Sequence, residues 1–351
     1  MKKIFNKIVA IVATTVLMGT CLIGCGSSSS DKELNLICWS EYLPDSVLTN
    51  FEEETGIRIN LTTFTTADEM LAKVQSAAEG TYDMIIAPQV NTSILESEGM
   101  LEKLDKDKIE NISNIDEMYL GNELDPNNDY SIPYLYTSLV IAVNTDVIKD
   151  DIKSYQDLLN PEYKDQMVIV EDARTIVTAS LRAEGYDVND TSDEALSAAE
   201  EYMNKLKPNI HAFNGDSPKT LLLNGECSIG LIYGGECALA MDENPSIVGI
   251  YPEEGCYYEM DVMMKTKGAK NPDNVEEFMN YILDGKVGAE IAEDFPYISP
   301  NKAAKEYLDE KYLSNNIKNP PAEEIAKAKQ LKDLGDDLTK IVDLWNKFKT
   351  N

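Results

Sequence analysis

Six side chains in this sequence combine the two properties needed to hold an organic ammonium group: Trp39, Tyr42 and Tyr233 offer aromatic faces, and Glu41, Asp172 and Asp261 offer carboxylates. A carboxylate accepts the N–H donors of an amine, while an aromatic face flanks its charge and its methylene chain. The same residues would serve equally well as core aromatics and exposed acids. Which of the two they are depends on where the fold puts them.

Other chemistries are poorly supplied. The chain has a single histidine, His211, which excludes multi-histidine metal sites and leaves a serine or cysteine nucleophile without its usual base. His211 itself reads as a surface or loop residue. Gly234-Gly235 lacks the lysine and serine of a phosphate-binding loop and reads as a turn. Glu171 and Asp172 could form a glycosidase pair, but among 62 acidic residues chance neighbours are expected. No catalytic residue, metal or cofactor is assigned, and the chain reads as a non-enzyme.

The elements that would position these residues alternate. Glu33 to Cys38 reads as a strand, Pro44-Asp45-Ser46 opens a helix through Val47, Leu48 and Phe51 that stops at Gly56, and Ile57, Ile59 and Leu61 form a second strand. Thr66 and Glu69 have the capping-box spacing, at the head of a helix that ends by Gly80, and Met84 to Ala87 is a third strand. Strand, helix, strand, helix, strand predicts a parallel sheet with right-handed crossovers. Ligands bind beyond the carboxyl ends of such strands. The first strand delivers Trp39 to Tyr42 there, and the third delivers Pro88 to Val90. Met167 to Val170, ending in Glu171-Asp172, and Ser228 to Ile232, ending at Tyr233, repeat the pattern. Ile132-Pro133-Tyr134 leads into Ser138 to Asn144, an extended apolar segment, and Met260 to Met264 is a second; paired crossing segments of this kind suit a hinge between two lobes. The tail from Pro321 onward reads as helical and packed along one lobe.

At the amino terminus, Lys2, Lys3 and Lys7 precede the apolar run Ile8 to Met18, which is shorter than the roughly 20 residues that span a bilayer. This is a secretory signal. Gly24-Cys25 resembles a lipobox, making Cys25 the lipidated first residue, tethered through Gly26 and Ser27 to Ser30. Residues 1–24 hold three lysines and no acid, so removing them takes the net charge from -31 to about -34. Nucleic acid and anionic lipid are unsuitable partners for such a surface. Cys38, Cys227, Cys237 and Cys256 show no metal spacing and read as buried thiols, although export permits disulfides. About 320 mature residues call for two lobes: residues 32–137 with about 262–305, and residues 138–261 with about 306–351.

Several stretches together resemble the spermidine/putrescine-binding proteins of bacterial ABC transporters: Cys38-Trp39-Ser40-Glu41-Tyr42-Leu43-Pro44, Phe51-Glu52-Glu53-Glu54-Thr55-Gly56-Ile57, Gly80-Thr81-Tyr82-Asp83, Asp125 to Tyr134, Asp172-Ala173-Arg174 and Ala212-Phe213-Asn214. The resemblance implies an α/β, two-lobed periplasmic-binding-protein fold of type II, hinged, with the ligand in the cleft between the lobes. It implies a monomeric lipoprotein on the outer face of the cell membrane (periplasmic where there are two membranes) that hands a polyamine to a permease. Trp39, Ser40, Glu41 and Tyr42 then form one wall, with Glu41 on a terminal amine. Asp172 and Asp261 take the other amines, and Tyr233 and Tyr297 pack on the ligand. Thr175 stands where such proteins can carry an acid, Glu259 where they often carry tryptophan, and Pro88 and Val90 replace a hydroxyl and a tyrosine. Glu259 is therefore a candidate site residue, and these departures keep open another small solute on the same fold. A carboxylate-dependent surface hydrolase is the remaining alternative.

Overall fold

The computed structural model describes residues 32–40 and 42–350; the signal segment, Cys25 and Glu41 lie outside the described residues. Among the described residues ten strands are formed: β1 Glu33–Trp39, β2 Arg58–Phe64, β3 Met84–Pro88, β4 Ser131–Asn144, β5 Met167–Ile169, β6 Ile210–Phe213, β7 Ile229–Tyr233, β8 Ile247–Ile250, β9 Tyr257–Lys265 and β10 Lys329–Gln330. The α-helices before β5 are α1 Asp45–Thr55, α2 Ala67–Ser76 and α3 Val90–Ser97. After it come α4 Ala173–Ala183, α5 Asp193–Leu206, α6 Lys219–Leu223, α7 Gly234–Glu243, α8 Pro272–Ile282, α9 Gly285–Asp294, α10 Glu310–Ser314, α11 Ala322–Lys327 and α12 Leu338–Thr350. The fold is mixed α/β.

The strands run in the order β2-β1-β3-β9-β4-β7-β5-β6, with β10 added to β9 and β8 to β4. β1 pairs with β2 and β3 in parallel, as the alternation predicts. The sheet is not purely parallel, because the crossing strands return in the opposite direction: β9 is antiparallel to both β3 and β4. β4 is the shared strand. Its residues from Ser131 to Ser138 pair with β9, while Leu139 to Val143 pair with β7 and Ile141 to Asn144 with β8. Two apolar clusters cover the β1-β3-β9 region, one around Leu34, Phe51 and Phe278 and one around Ile37, Phe64 and Met264. Two others cover the β5-β7 region, around Ile169, Tyr202 and Trp345 and around Val140, Leu222 and Ile317.

Residues that carry the family resemblance largely explain how the strands are held. Asp83, fully buried, accepts hydrogen bonds from Asn35 N at 2.9 Å and Asn35 Nδ2 at 2.8 Å on β1, and from Lys270 N at 2.7 Å beyond β9. Gly80 has a φ of 75°, and a Cβ there would lie 2.8 Å from Gly268 O. This is why its turn tolerates no side chain. It also corrects a boundary: α2 ends at Ser76, and Gly80 serves the approach to Gly268 rather than the helix end. Thr66 Oγ1 caps α2 by accepting from Glu69 N at 3.1 Å, but Glu69 Oε2 reaches Thr65 N at 2.8 Å instead of closing the box on Thr66. Asp125 accepts from Asp129 N, Tyr130 N and Ser131 N at 2.8 to 2.9 Å and so launches β4.

At the carboxyl end, α12 buries Ile341, Leu344, Trp345 and Phe348 against α4 and α5. Burial of each large apolar side chain contributes about 1.5–3 kcal/mol, enough to fix the tail. The short β10, not visible as a pattern in the sequence, adds Lys329 and Gln330 beside Tyr257 and Tyr258. All four described cysteines are free and buried. No helix among the described residues is long and apolar enough to cross a membrane.

Candidate functional site

Period-two alternation on β9 sets the centre of the site. Successive strand residues point to opposite faces, so Met260, Val262 and Met264 enter one apolar cluster while Glu259 and Asp261 share the other face. Asp261 lies in register between Pro88 on β3 and Leu135 on β4. Its carboxylate is gripped by two neutral donors from the end of β1: Trp39 Nε1 at 3.2 Å on Oδ1 and Tyr42 OH at 2.6 Å on Oδ2. Tyr42 is itself held, since Tyr134 OH donates to its carbonyl at 2.6 Å and its ring meets those of Tyr134 and Tyr297 edge-on at 5.3 and 5.5 Å. Trp39 packs on Phe64 with ring centroids 4.5 Å apart.

These side chains open onto a cavity of about 420 Å³. Trp39, Ser40, Tyr42, Tyr233, Glu259, Asp261 and Tyr297 all line it. Asp172 does not. It caps α4, its Oδ1 accepting from Thr175 N at 2.6 Å, and it acts on the site through its charge. Thr175 is buried, with its hydroxyl 3.1 Å from Tyr233 OH and 2.7 Å from Tyr257 OH, and so holds the Tyr233 ring in place. Pro88 lines the cavity and Val90 does not. Sequence reasoning missed Tyr136, Thr137, Asp216 and Glu236, which also line it. Thr137 pairs with Glu259 across β4 and β9, a register no local pattern reveals. Glu236 follows Gly234-Gly235, which opens α7 rather than forming a free turn. An acid immediately after a strand-to-helix junction was the one available signal.

The electrostatics follow chiefly from burial. Burial pushes the Asp261 carboxyl up to about 6, although the Tyr42 and Trp39 hydrogen bonds hold it down. Glu259 is pushed up to about 7, by burial first and then by the charges of Asp261 and Asp172, with Arg174 opposing. Arg174 is mostly buried behind the site, donates to Asn189 Oδ1 at 2.6 Å, and is lowered to about 10 by desolvation. Burial, followed by the neighbouring Asp261, raises the Tyr42 phenol well above its usual value. Among the described residues the lining thus holds four acids, Asp216, Glu236, Glu259 and Asp261, and five aromatic side chains, with no lysine, arginine or histidine. Burying carboxylates such as those of Glu259 and Asp261 is costly, and a cation entering the cavity offsets that cost. Among the described residues no cluster of acids, histidines and cysteines is arranged to hold a metal ion.

Comparison with known proteins gives the chain's relatives. Residues 46–348 match the family model described as bacterial extracellular solute-binding protein. The spermidine/putrescine-binding periplasmic protein of Salmonella typhimurium is 33% identical over 323 residues, covering 92% of this chain and 93% of the relative. The Escherichia coli protein of the same description is 32% identical, covering 90% and 92%. Among solved structures, the spermidine/putrescine ABC transporter substrate-binding protein of Streptococcus pneumoniae superposes with a TM-score of 0.84 at 29% identity, covering 91% of this chain and 99% of that one.

Proposed function

Because the chain belongs to the bacterial extracellular solute-binding proteins, we propose that it captures a polyamine, spermidine or putrescine, outside the cytoplasm and delivers it to an ABC permease. The observation that carries this reading is the composition of the cavity wall: among the described residues, four acids and five aromatic side chains with no basic side chain. The relatives are named as binding proteins of transport systems, and the chain is read as one that binds and releases its ligand unchanged.

In this account Asp261 accepts one ammonium, its orientation set by Trp39 and Tyr42, and Glu259 accepts a second. Trp39, Tyr42, Tyr233 and Tyr297 flank the methylenes, and Glu41, next to Ser40, reaches a terminal amine. Asp172 keeps the neighbourhood negative from its place at the head of α4. Hydrogen bonds to charged groups contribute about 1.5–3 kcal/mol each and cation–π contacts about 0.5–2 kcal/mol. Two or three amines so held, less the cost of ordering, are compatible with micromolar or tighter binding. The two regions joined by β4 and β9 act as lobes that close on the ligand. Cys25 carries the lipid that keeps the protein at the outer face of the membrane, and the protein works there as a monomer.

The test is a thermal-shift and titration series on a chain starting at Asp31, against putrescine, cadaverine, spermidine and spermine, with choline and a sugar as controls. Saturable stabilisation by polyamines, and not by the controls, is the expected result. Stabilisation by a different small cation would keep the fold and replace the ligand, and turnover of a glycoside would replace the function.

A further inference from the structure

The two acids on β9 are held in different ways. Asp261 takes the Trp39 and Tyr42 donors at 3.2 and 2.6 Å and is fixed by them. Glu259 lines the same cavity, but what acts on its carboxyl is burial and charge, with no hydrogen bond among the described residues. The Asp261 and Asp172 charges repel it, and the Arg174 charge attracts it. A glutamate has three rotatable bonds. Unfastened, its carboxylate can turn toward whichever cation holds it better.

The fold ties Arg174 to the flank of β9 from two directions. Its neighbour Thr175 places a hydroxyl 2.7 Å from the Tyr257 phenol, and Tyr257 precedes Glu259 by two residues on the same face of the strand. On the other side, Arg174 Nη2 donates to Asn189 Oδ1 at 2.6 Å, while Asn189 Nδ2 donates to the Gln330 carbonyl at 3.0 Å. Gln330 belongs to β10, which pairs with Tyr257 and Tyr258 of β9. The other end of the guanidinium is unused: Nη1 is buried and has no hydrogen-bond acceptor. A buried donor left unpaired is costly. Of the carboxylates whose charges reach Arg174, Glu259 acts most, ahead of Asp172 and Asp187. Arg174 does not line the cavity, so it meets the carboxylate from behind and not the ligand.

Resting on the polyamine reading above, we propose that Arg174 is an affinity-setting residue that competes, from behind the site, with the ligand's ammonium group for the Glu259 carboxylate. One carboxylate then serves two cations. The amine held at Asp261 is unaffected, because Asp261 is fastened by neutral donors, whereas the amine at Glu259 is held against a standing rival. Charges withdrawn from water are little screened by salt, so the competition persists under ionic conditions that would erase a surface pair. Its consequence is release. Differences in affinity within one site fall mostly on the dissociation rate, and a protein that must hand its ligand to a permease gains from a cation that takes the carboxylate back. Cancelling the Arg174 charge therefore leaves Glu259 to the ligand and tightens binding.

The experiment is calorimetric titration of putrescine at pH 8, above the value of about 7 for Glu259, into the wild-type chain, Arg174→Gln, Glu259→Gln and the double variant, with the melting midpoint of each ligand-free protein. Arg174→Gln should bind putrescine at least threefold more tightly than wild type. In the Glu259→Gln background the same change should bring less than half of that gain, the coupling that a double-mutant cycle isolates. Asn189→Asp reaches the same end with the guanidinium in place, since it puts a carboxylate where Arg174 Nη2 already finds an oxygen; it too should tighten binding, and it answers the question should Arg174→Gln not fold. A residue that merely braces α4 and β10 would, when replaced, lower the melting midpoint and weaken binding whatever stands at 259. Unchanged or weaker binding in the variants that fold, or an equal gain with and without Glu259, would overturn the assignment of Arg174 while leaving polyamine binding intact. Absence of polyamine binding by the wild-type chain would instead overturn the reading on which the assignment rests.

Discussion

Asp261 is the residue on which the most structure converges, since its two oxygens take the Trp39 and Tyr42 donors and, after burial, its charge helps raise the Tyr42, Tyr134 and Cys38 groups around it. Asp261→Ala should weaken polyamine binding more than tenfold by titration; unchanged affinity would remove Asp261 from the site. Glu259→Trp separates the departures from the family pattern. It should lower affinity or shift preference among amines, and an identical ligand profile would leave Glu259 without a role in recognition. The pair also sets a pH dependence. Their folded-state values of about 7 and about 6 lie above the ordinary carboxyl range, so the folded ligand-free protein binds more protons than the unfolded chain between that range and about 7. Stability from these two groups is therefore gained as pH falls through 7 and 6 and lost as pH rises. Polyamine affinity should move the opposite way, weakening as the carboxylates protonate. Melting curves and titrations at pH 5.5 and 8 check both signs, and parallel movement of the two would contradict the assignment.

At the level of elements, the alternating pattern of the first ninety residues was legible because each strand and helix is short, amphipathic and punctuated by Gly or Pro. The end of β1 could be placed from that pattern, and with it Trp39 and Tyr42, while Asp261 was marked by the separate extended segment Met260 to Met264. Asp83 and Asp125 were visible only as parts of a resemblance. Their work is to tie backbone amides that come together through tertiary contacts or a turn. Tyr136, Thr137 and Glu236 were not legible, because they reach the cavity through the register of β4 on β9 and the packing of α7, which no local periodicity encodes. Asp172 shows the reverse case, an acid whose local duty as a helix cap is plain once Thr175 is seen beside it. On the same face of β9 as Asp261, Lys265 makes a 2.6 Å ion pair with Glu276 of α8, both side chains buried. Lys265→Met would leave Glu276 buried without its cation, a loss of about 3–5 kcal/mol. A clear drop in the denaturation midpoint is expected. An unchanged midpoint would mean that the pair contributes nothing to seating α8 against β9.

For the whole molecule, the shared strand β4 and the crossing strand β9 join two sets of apolar clusters, and the acids line the cavity beside that junction. Ligand-driven closure about these strands should reduce the radius of gyration measured by X-ray scattering when a polyamine saturates the site, and an unchanged value would argue for a preformed pocket. Cys25→Ala should move the protein from the membrane to the soluble extracytoplasmic fraction; retention at the membrane would place the anchor elsewhere. The central claim is that the cavity recognises positive charge on a short aliphatic chain. The most direct measurement compares, by isothermal titration into the soluble chain, putrescine and spermidine with 1,4-butanediol, which keeps the four-carbon chain and lacks the ammonium groups. Saturable one-to-one binding of the amines, between nanomolar and tens of micromolar, with no heat from the diol is expected. Equal binding of amines and diol, or silence toward both amines, would contradict it.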